Sequence, residues 1–338
     1  MEIIMKNIII LFKNILKKIK IYPVTREIYF LLKNIKNKIF IINIPSINIS
    51  QCVIPSSTPL YNINMKEEDI LFYSYADIKY HPFAALYPIF ALTSNPQSIV
   101  EICVASPNEF VNEYIDIINF YRKEFPGRIL YSCIGHSDIF PNSLRFIVQP
   151  KSYAKYIYIG DIDILLLEDN ILIKHIMNIK SNNLDFSNVV RHGTKKLTGL
   201  HFIEYDKMFP VQIDSNIDLR AAIDEELLYI LMDAKGFKMP MCDKFMRPVH
   251  GLHISFFSRP LLPTLTTRDR IADFPVWGGD TEAFIEKYLE VRYAEPIMSF
   301  MSNIRDNNVA LRRLVQIIDL YCLYCSTLPK QKVIASAG

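Results

Sequence analysis

What the 338-residue chain lacks narrows its class first. No apolar run approaches the roughly 18 residues that a bilayer-spanning helix needs. The longest early apolar run, Ile8 to Phe12, is cut off by Lys13 and Asn14, so no stretch reads as a cleavable leader. The six cysteines stand among apolar neighbours, and only Cys322 and Cys325 form a CxxC. That pair has no second set of ligands nearby, which argues against zinc and for buried thiols in a reducing compartment. No basic patch with interleaved aromatics appears beyond the start of the chain, so a nucleic-acid partner is disfavoured. There is no internal repeat. Half of the residues are hydrophobic, enough for a large core in one big domain or two smaller ones.

The charge that is present is unevenly placed. Residues 1–44 hold nine Lys or Arg against two Glu, a net of +7 in a chain of net +3, so the remainder is about −4. Ile8, Leu11, Phe12, Ile15, Leu16 and Ile19 share one helical face, opposite Lys6, Lys13, Lys17 and Lys20. Residues 26–42 repeat the pattern. Such a segment suits either an anionic membrane surface or packing on the core with solvated lysines. Residues 45–68, rich in Pro, Ser and Asn, read as a linker.

From residue 69 the pattern changes to strands alternating with helices. "DILFYSYAD", "SIVEICVAS" and "RILYSCIG" read as strands. "HPFAALYPIFAL" and "NEFVNEYIDIINFYRKEF" read as helices, with Asn108 as a cap on the second. The expected class is α/β: a Rossmann-type, mostly parallel sheet flanked by helices over 69–260, with amphipathic helices before it and a helical region within 261–338. Ligands in such sheets gather at the carboxyl ends of the strands, which selects Ser74, Tyr75, Ala76, Asp77, Ala105, Ser106 and Gly160 to Asp163.

Within "KYIYIGDIDILLLEDN", seven of the ten residues from Tyr156 to Leu165 are apolar, the composition of a buried strand, yet Asp161 and Asp163 lie inside it. Buried carboxylates are costly without a partner. Residues i and i+2 of a strand point to one side, so the two acids are expected to project together and to repel unless a cation lies between them. Oxygen ligands suit magnesium or manganese. Gly160 leaves room for a ligand or backbone to approach.

A DxD after an apolar strand occurs in haloacid-dehalogenase-type phosphatases, but there it follows the first strand. Here at least three strands come first. The stretch from about 69 to 260 instead resembles GT-A glycosyltransferases, closest to family 8 of the retaining enzymes. "FYSYADIKYHPFAALYPIF" matches the family's opening, with Asp77 and Tyr80 in the corresponding places. Arg145 stands ahead of the DxD. "LTGLHFIEY" matches the next motif in Thr198 and Gly199, without its Asn. "AAIDEELLYIL" offers Asp224 and Glu225 for the family's Asp-Gln. "HISFFSRP" supplies His253, Arg259 and Pro260 at the family's spacing, with Arg for Lys.

The resemblance implies a metal-dependent enzyme that moves a sugar from a nucleotide-diphosphate sugar, a UDP-sugar first, to a glycan or lipid-linked acceptor. Asp161, Asp163 and His253 would hold Mn2+ or Mg2+, the imidazole favouring manganese, with His250 a rival ligand. Arg259 and the ion would neutralise the diphosphate, with Asp77 and Tyr80 on the nucleoside. Such enzymes often build bacterial surface polysaccharide, which fits a cytoplasmic protein peripheral to the inner face of the membrane. Two alternatives remain at this point: an inverting GT-A enzyme with Asp224 or Glu225 as base, and a non-catalytic sugar-nucleotide or glycan binder. Residues 261–338 read as an acceptor-side loop followed by a helical cap.

Overall fold

β1 (Ile70–Ala76), β2 (Ile99–Val104) and β3 (Ile129–Ser132) are the three early strands, and the chain returns to the other side of β1 to place β4 (Tyr156–Ile159). The computed structural model describes residues 70–133, 141–212, 224–241, 248, 250–254, 281–304, 306 and 308–327. The amphipathic segment 1–44, the linker, Arg259 and Pro260 lie outside the described residues. The intervening helices are α1 (His81–Ser94) and α2 (Pro107–Glu124), followed by the short α3 (Leu144–Ile147). After β4 come β5 (Ile164–Leu166), α4 (Ile171–Asn182), β6 (His201–Glu204), α5 (Tyr205–Met208), α6 (Asp224–Ala234) and β7 (Gly251–His253). Three helices close the described chain: α7 (Thr281–Val291), α8 (Ile297–Ser302) and α9 (Val309–Thr327).

The main sheet runs β3-β2-β1-β4-β6. Its first four strands are parallel and β6 pairs antiparallel with β4. The fold is therefore mixed α/β with a mostly parallel sheet between helices. A central parallel strand is covered on both faces and reads as a continuous apolar run. β1 obeys this: Leu71 and Tyr73 face a core shared with α3, α5 and α6 through Phe146, Tyr205, Met208, Leu227 and Leu231. The other parity, Phe72 with Ile102 and Tyr158, is equally buried under α1.

α1 is buried almost all round and contains Pro88. A proline has no N–H for the carbonyl four residues earlier. That carbonyl, Ala84 O, instead accepts from the Tyr131 hydroxyl at 3.2 Å. The next, Ala85 O, accepts from Tyr121 at 2.7 Å. Two tyrosines thus allow a proline-bearing helix to sit against the sheet. α2 begins after Ser106, in the left-handed region at φ 49°, so Asn108 lies inside the first turn and is not its cap.

The short β5 and β7 form a separate antiparallel ladder. Gly251 is required there, since a Cβ would stand 1.7 Å from Leu165 O. Among the described residues, Cys103, Cys133 and Cys322 are thiols. Among the described residues, no helix is long and apolar enough to cross a membrane.

His201, in β6, is fully buried, and burial pushes its pKa down to about 3. The unfolded chain, with an ordinary imidazole near 6.5, takes up this proton first, so stability falls as pH drops from about 6.5 towards 3. The expected slope from this one group is about 1.4 kcal/mol per pH unit. Denaturant unfolding between pH 7 and pH 4 checks it: His201→Phe should remove that part of the slope.

Candidate functional site

The chain order puts a topological switch between β1 and β4, since β1 leads outward to β2 and β3 on one side and β4 is laid down on the other. Crevices at such points, beyond the strands' carboxyl ends, are where open α/β sheets bind ligands. The residues at this place are Ala76 at the end of β1, Asp77 after it, and Gly160 to Asp163 after β4.

The two aspartates do not lie in a strand. β4 ends at Ile159, and Gly160 to Asp163 form a tight turn before β5, with Ile164 N donating to Asp161 O at 3.2 Å. A period of two therefore does not apply to the two acids. Ile162 points into the core as expected. The turn is pinned by Gly160: its N–H bonds Tyr73 O at 3.1 Å, and its carbonyl accepts from Ser74 Oγ at 2.8 Å and Arg145 Nη1 at 3.2 Å. Ser74 is buried and spends its hydroxyl on that turn. What crowds Gly160 is the Tyr158 ring, 2.8 Å from where a Cβ would stand.

Asp161 is engaged by Arg145, whose Nη1 donates to Oδ1. Nη2 of the same guanidinium reaches Asp224 Oδ2 at 3.0 Å. α3 supplies Arg145 and the first turn of α6 supplies Asp224. Burial alone would lower the Arg145 pKa, but Asp161 and Asp224 outweigh it and hold the group above its usual range. Gly199 lies against this pair: a Cβ there would be 3.0 Å from Arg145 Nη2 and 3.0 Å from Asp161 Oδ2. Arg145, Asp161, Gly199 and Asp224 thus meet at one place, with Thr198 next to Gly199 in the chain. Glu225 turns aside to pair with Arg191. Its pKa is raised by burial, with Arg191 opposing the shift.

Asp163 is buried and its Oδ1 lies 3.4 Å from His253 Nε2. The β5–β7 ladder sets this contact, with Ile164 opposite His253 and Ile254 N donating to Asp163 O at 2.7 Å. His250, the rival from sequence, is committed elsewhere. Its Nε2 is 2.6 Å from His175 Nε2, and His175 Nδ1 is 2.7 Å from Ser187 Oγ. Glu168 lies at 3.5 Å from His250 Nδ1, and that contact, with Lys174, holds the Glu168 carboxyl below its usual range. This buried chain was not visible in sequence, because its members are 75 residues apart.

The donor chemistry of Asp163 and His253 fits a divalent ion, with one carboxylate and one imidazole in contact. Asp161, in contrast, already has a cation in Arg145. Among the described residues no group of three His, Cys, Asp or Glu side chains is gathered as a ligand set. Of the three ligands expected from sequence, Asp163 and His253 are in contact, while Asp161 is paired with Arg145.

After β1, Asp77 caps the 3-10 turn Ile78–Tyr80, accepting from Lys79 N at 3.1 Å, and pairs with Lys79 Nζ at 3.4 Å. The Tyr80 ring packs against Phe83, with the Lys79 ammonium 5.2 Å from its centroid. Tyr75 is half-buried, its pKa pushed up to about 12 by burial.

No family model matches the chain. No curated protein sequence matches it either. Solved structures do overlap it in part. An active-site mutant of LgtC is 14% identical, with 52% of this chain and 71% of that one covered and a TM-score of 0.35. The mannosyltransferase PcManGT from Pyrobaculum calidifontis, solved with GDP-Man and Mn2+, is 9% identical over 77% and 76%, with a TM-score of 0.39. The 4-diphosphocytidyl-2C-methyl-D-erythritol synthase from Anaerococcus prevotii is 10% identical over 62% and 99%, with a TM-score of 0.34. The functional reading rests on the site's own geometry.

Proposed function

We propose that the chain is a GT-A-type glycosyltransferase that moves a sugar from a nucleotide-diphosphate sugar, a UDP-sugar first, to a glycan or lipid-linked acceptor. The observation that carries the reading is the acidic turn Gly160–Asp163 at the topological switch of the sheet, with Arg145 bridging Asp161 to Asp224 and Asp163 facing His253. A crevice with acids, an arginine and an imidazole suits a ligand that brings both hydroxyls and a metal-bound diphosphate.

In this reading Asp163 and His253 would hold Mn2+ or Mg2+, with Asp161 proposed as a third ligand. Such an ion would supply Lewis-acid stabilisation of the diphosphate leaving group. Asp77 and Tyr80 take the nucleoside, and Arg145, Asp224, Thr198 and Gly199 enclose the sugar. Arg259 adds a second cation at the diphosphate, as proposed from its spacing to His253. Asp224 and Glu225 are each bound to an arginine, so neither stands ready as a general base, which favours retention over inversion. The basic segment 1–44 is proposed to hold the enzyme at an anionic membrane face.

Hydrolysis of UDP-glucose, UDP-galactose and GDP-mannose in manganese chloride tests the activity. Release of nucleotide from one of the three, dependent on metal, is expected. Binding without turnover would instead point to a non-catalytic sugar-nucleotide binder.

A further inference from the structure

Before β6 the chain folds back on itself through two isolated bridges, Ser187 with Phe202 and Val190 with Leu197. Three steps on one side, from 187 to 190, face five on the other, from 197 to 202. The second side therefore carries two extra residues between the bridges, a β-bulge over Thr198 to His201. A bulge bends its strand and leaves backbone groups without ladder partners, and bulges often re-aim residues beside active sites. This one carries Gly199 against the Arg145–Asp161 pair, where a Cβ would come within 3.0 Å of both side chains.

The side chain of Asn188 reinforces the backbone at this bulge, where Thr198 N also donates to Val189 O at 3.2 Å. It is fully buried. Its Oδ1 accepts from Thr198 N at 3.1 Å, Thr198 Oγ1 at 2.6 Å and Val189 N at 2.7 Å. Its Nδ2 donates to Thr198 O at 3.0 Å. The amide thus engages both the N–H and the C=O of Thr198, as an opposing peptide would in a regular ladder. Both peptide planes flanking Thr198 are held, and the position of Gly199 follows. A smaller side chain at 188 would remove these four side-chain bonds to Thr198 and Val189, and the bulge would relax towards or away from Asp161.

We propose that Asn188 is a positioning residue for glycosyl transfer: it holds the Thr198–Gly199 bulge against Arg145 and Asp161 and so sets the wall of the donor pocket. This rests on the reading of that pocket as a nucleotide-sugar site. Asn188 itself touches no substrate. Its role is to keep the space above Asp161 at one width, which bears on the fit of the sugar.

The test uses the full chain with Asn188→Ala and Asn188→Asp, the second isosteric and retaining the acceptor contacts should the first fail to fold. UDP-glucose and UDP-galactose hydrolysis in manganese chloride is followed well below each variant's Tm. A displaced wall raises donor KM about tenfold or more in Asn188→Ala, with kcat changed less, and by a smaller factor in Asn188→Asp. A merely structural role lowers Tm and scales kcat with the folded fraction while KM stays put. An active parent with unchanged KM in both variants overturns the positioning role alone. A parent that neither binds nor hydrolyses UDP-glucose, UDP-galactose or GDP-mannose overturns the site reading, and the positioning role with it.

Discussion

Asp163→Asn should abolish metal-dependent turnover while leaving the protein folded. Asn keeps the shape of the side chain, and the backbone bond from Ile254 N to Asp163 O is untouched. What is lost is one negative charge beside His253, in a buried position where no water compensates. A carboxylate that binds a dication in such a place is worth several kcal/mol by order of magnitude, so a loss of about a hundredfold or more in kcat is expected. Steady-state kinetics across a manganese titration measure it, with Tm as the control for folding. Retained activity would remove Asp163 from the metal site.

Arg145→Ala should be the most destabilising of the site variants. The guanidinium is buried and bridges two carboxylates, and removing it leaves Asp161 and Asp224 facing each other with no cation. Breaking a buried pair in this way costs about 3 kcal/mol, discounted somewhat because Asp161 keeps some exposure to water. Arg145→Lys should not restore it. An ammonium is a point charge and does not form two separate bonds to two acids with Nη1 also on Gly160 O. Chemical denaturation of the three proteins at neutral pH gives the stabilities. Lys restoring the parent value would mean the bridge is not the source of the effect.

The early half of the fold was legible in the sequence because its elements are long and regularly patterned. β1, β2 and β3 read as apolar runs, and α1 and α2 fill the spaces between them. The later half was not, because its units are short and depend on distant partners. β5 and β7 have three residues each, too few for a period to show. The turn at Gly160–Asp163 interrupts what composition presents as one strand, since Ile162 and Ile164 keep the stretch apolar through the bend. The anomaly of two acids in an apolar run did mark the turn that follows β4. The same signal, a polar residue in "DFSNVV", was available for Asn188 and was missed, because only the structure shows what it faces. Arg145 was picked out from its place in a resembled motif, but its pairing with Asp224, 79 residues away, is a property of the fold alone.

The most direct test of the central claim is a calorimetric titration of UDP-glucose and UDP-galactose into the full chain, with and without manganese chloride, for the parent and for Asp163→Asn. The account predicts heat of binding for the parent with manganese, and a sharp loss of affinity when either the metal or the Asp163 carboxylate is removed. Equal binding in all four conditions would contradict the metal site. No binding in any of them would contradict the assignment of this crevice to a nucleotide sugar.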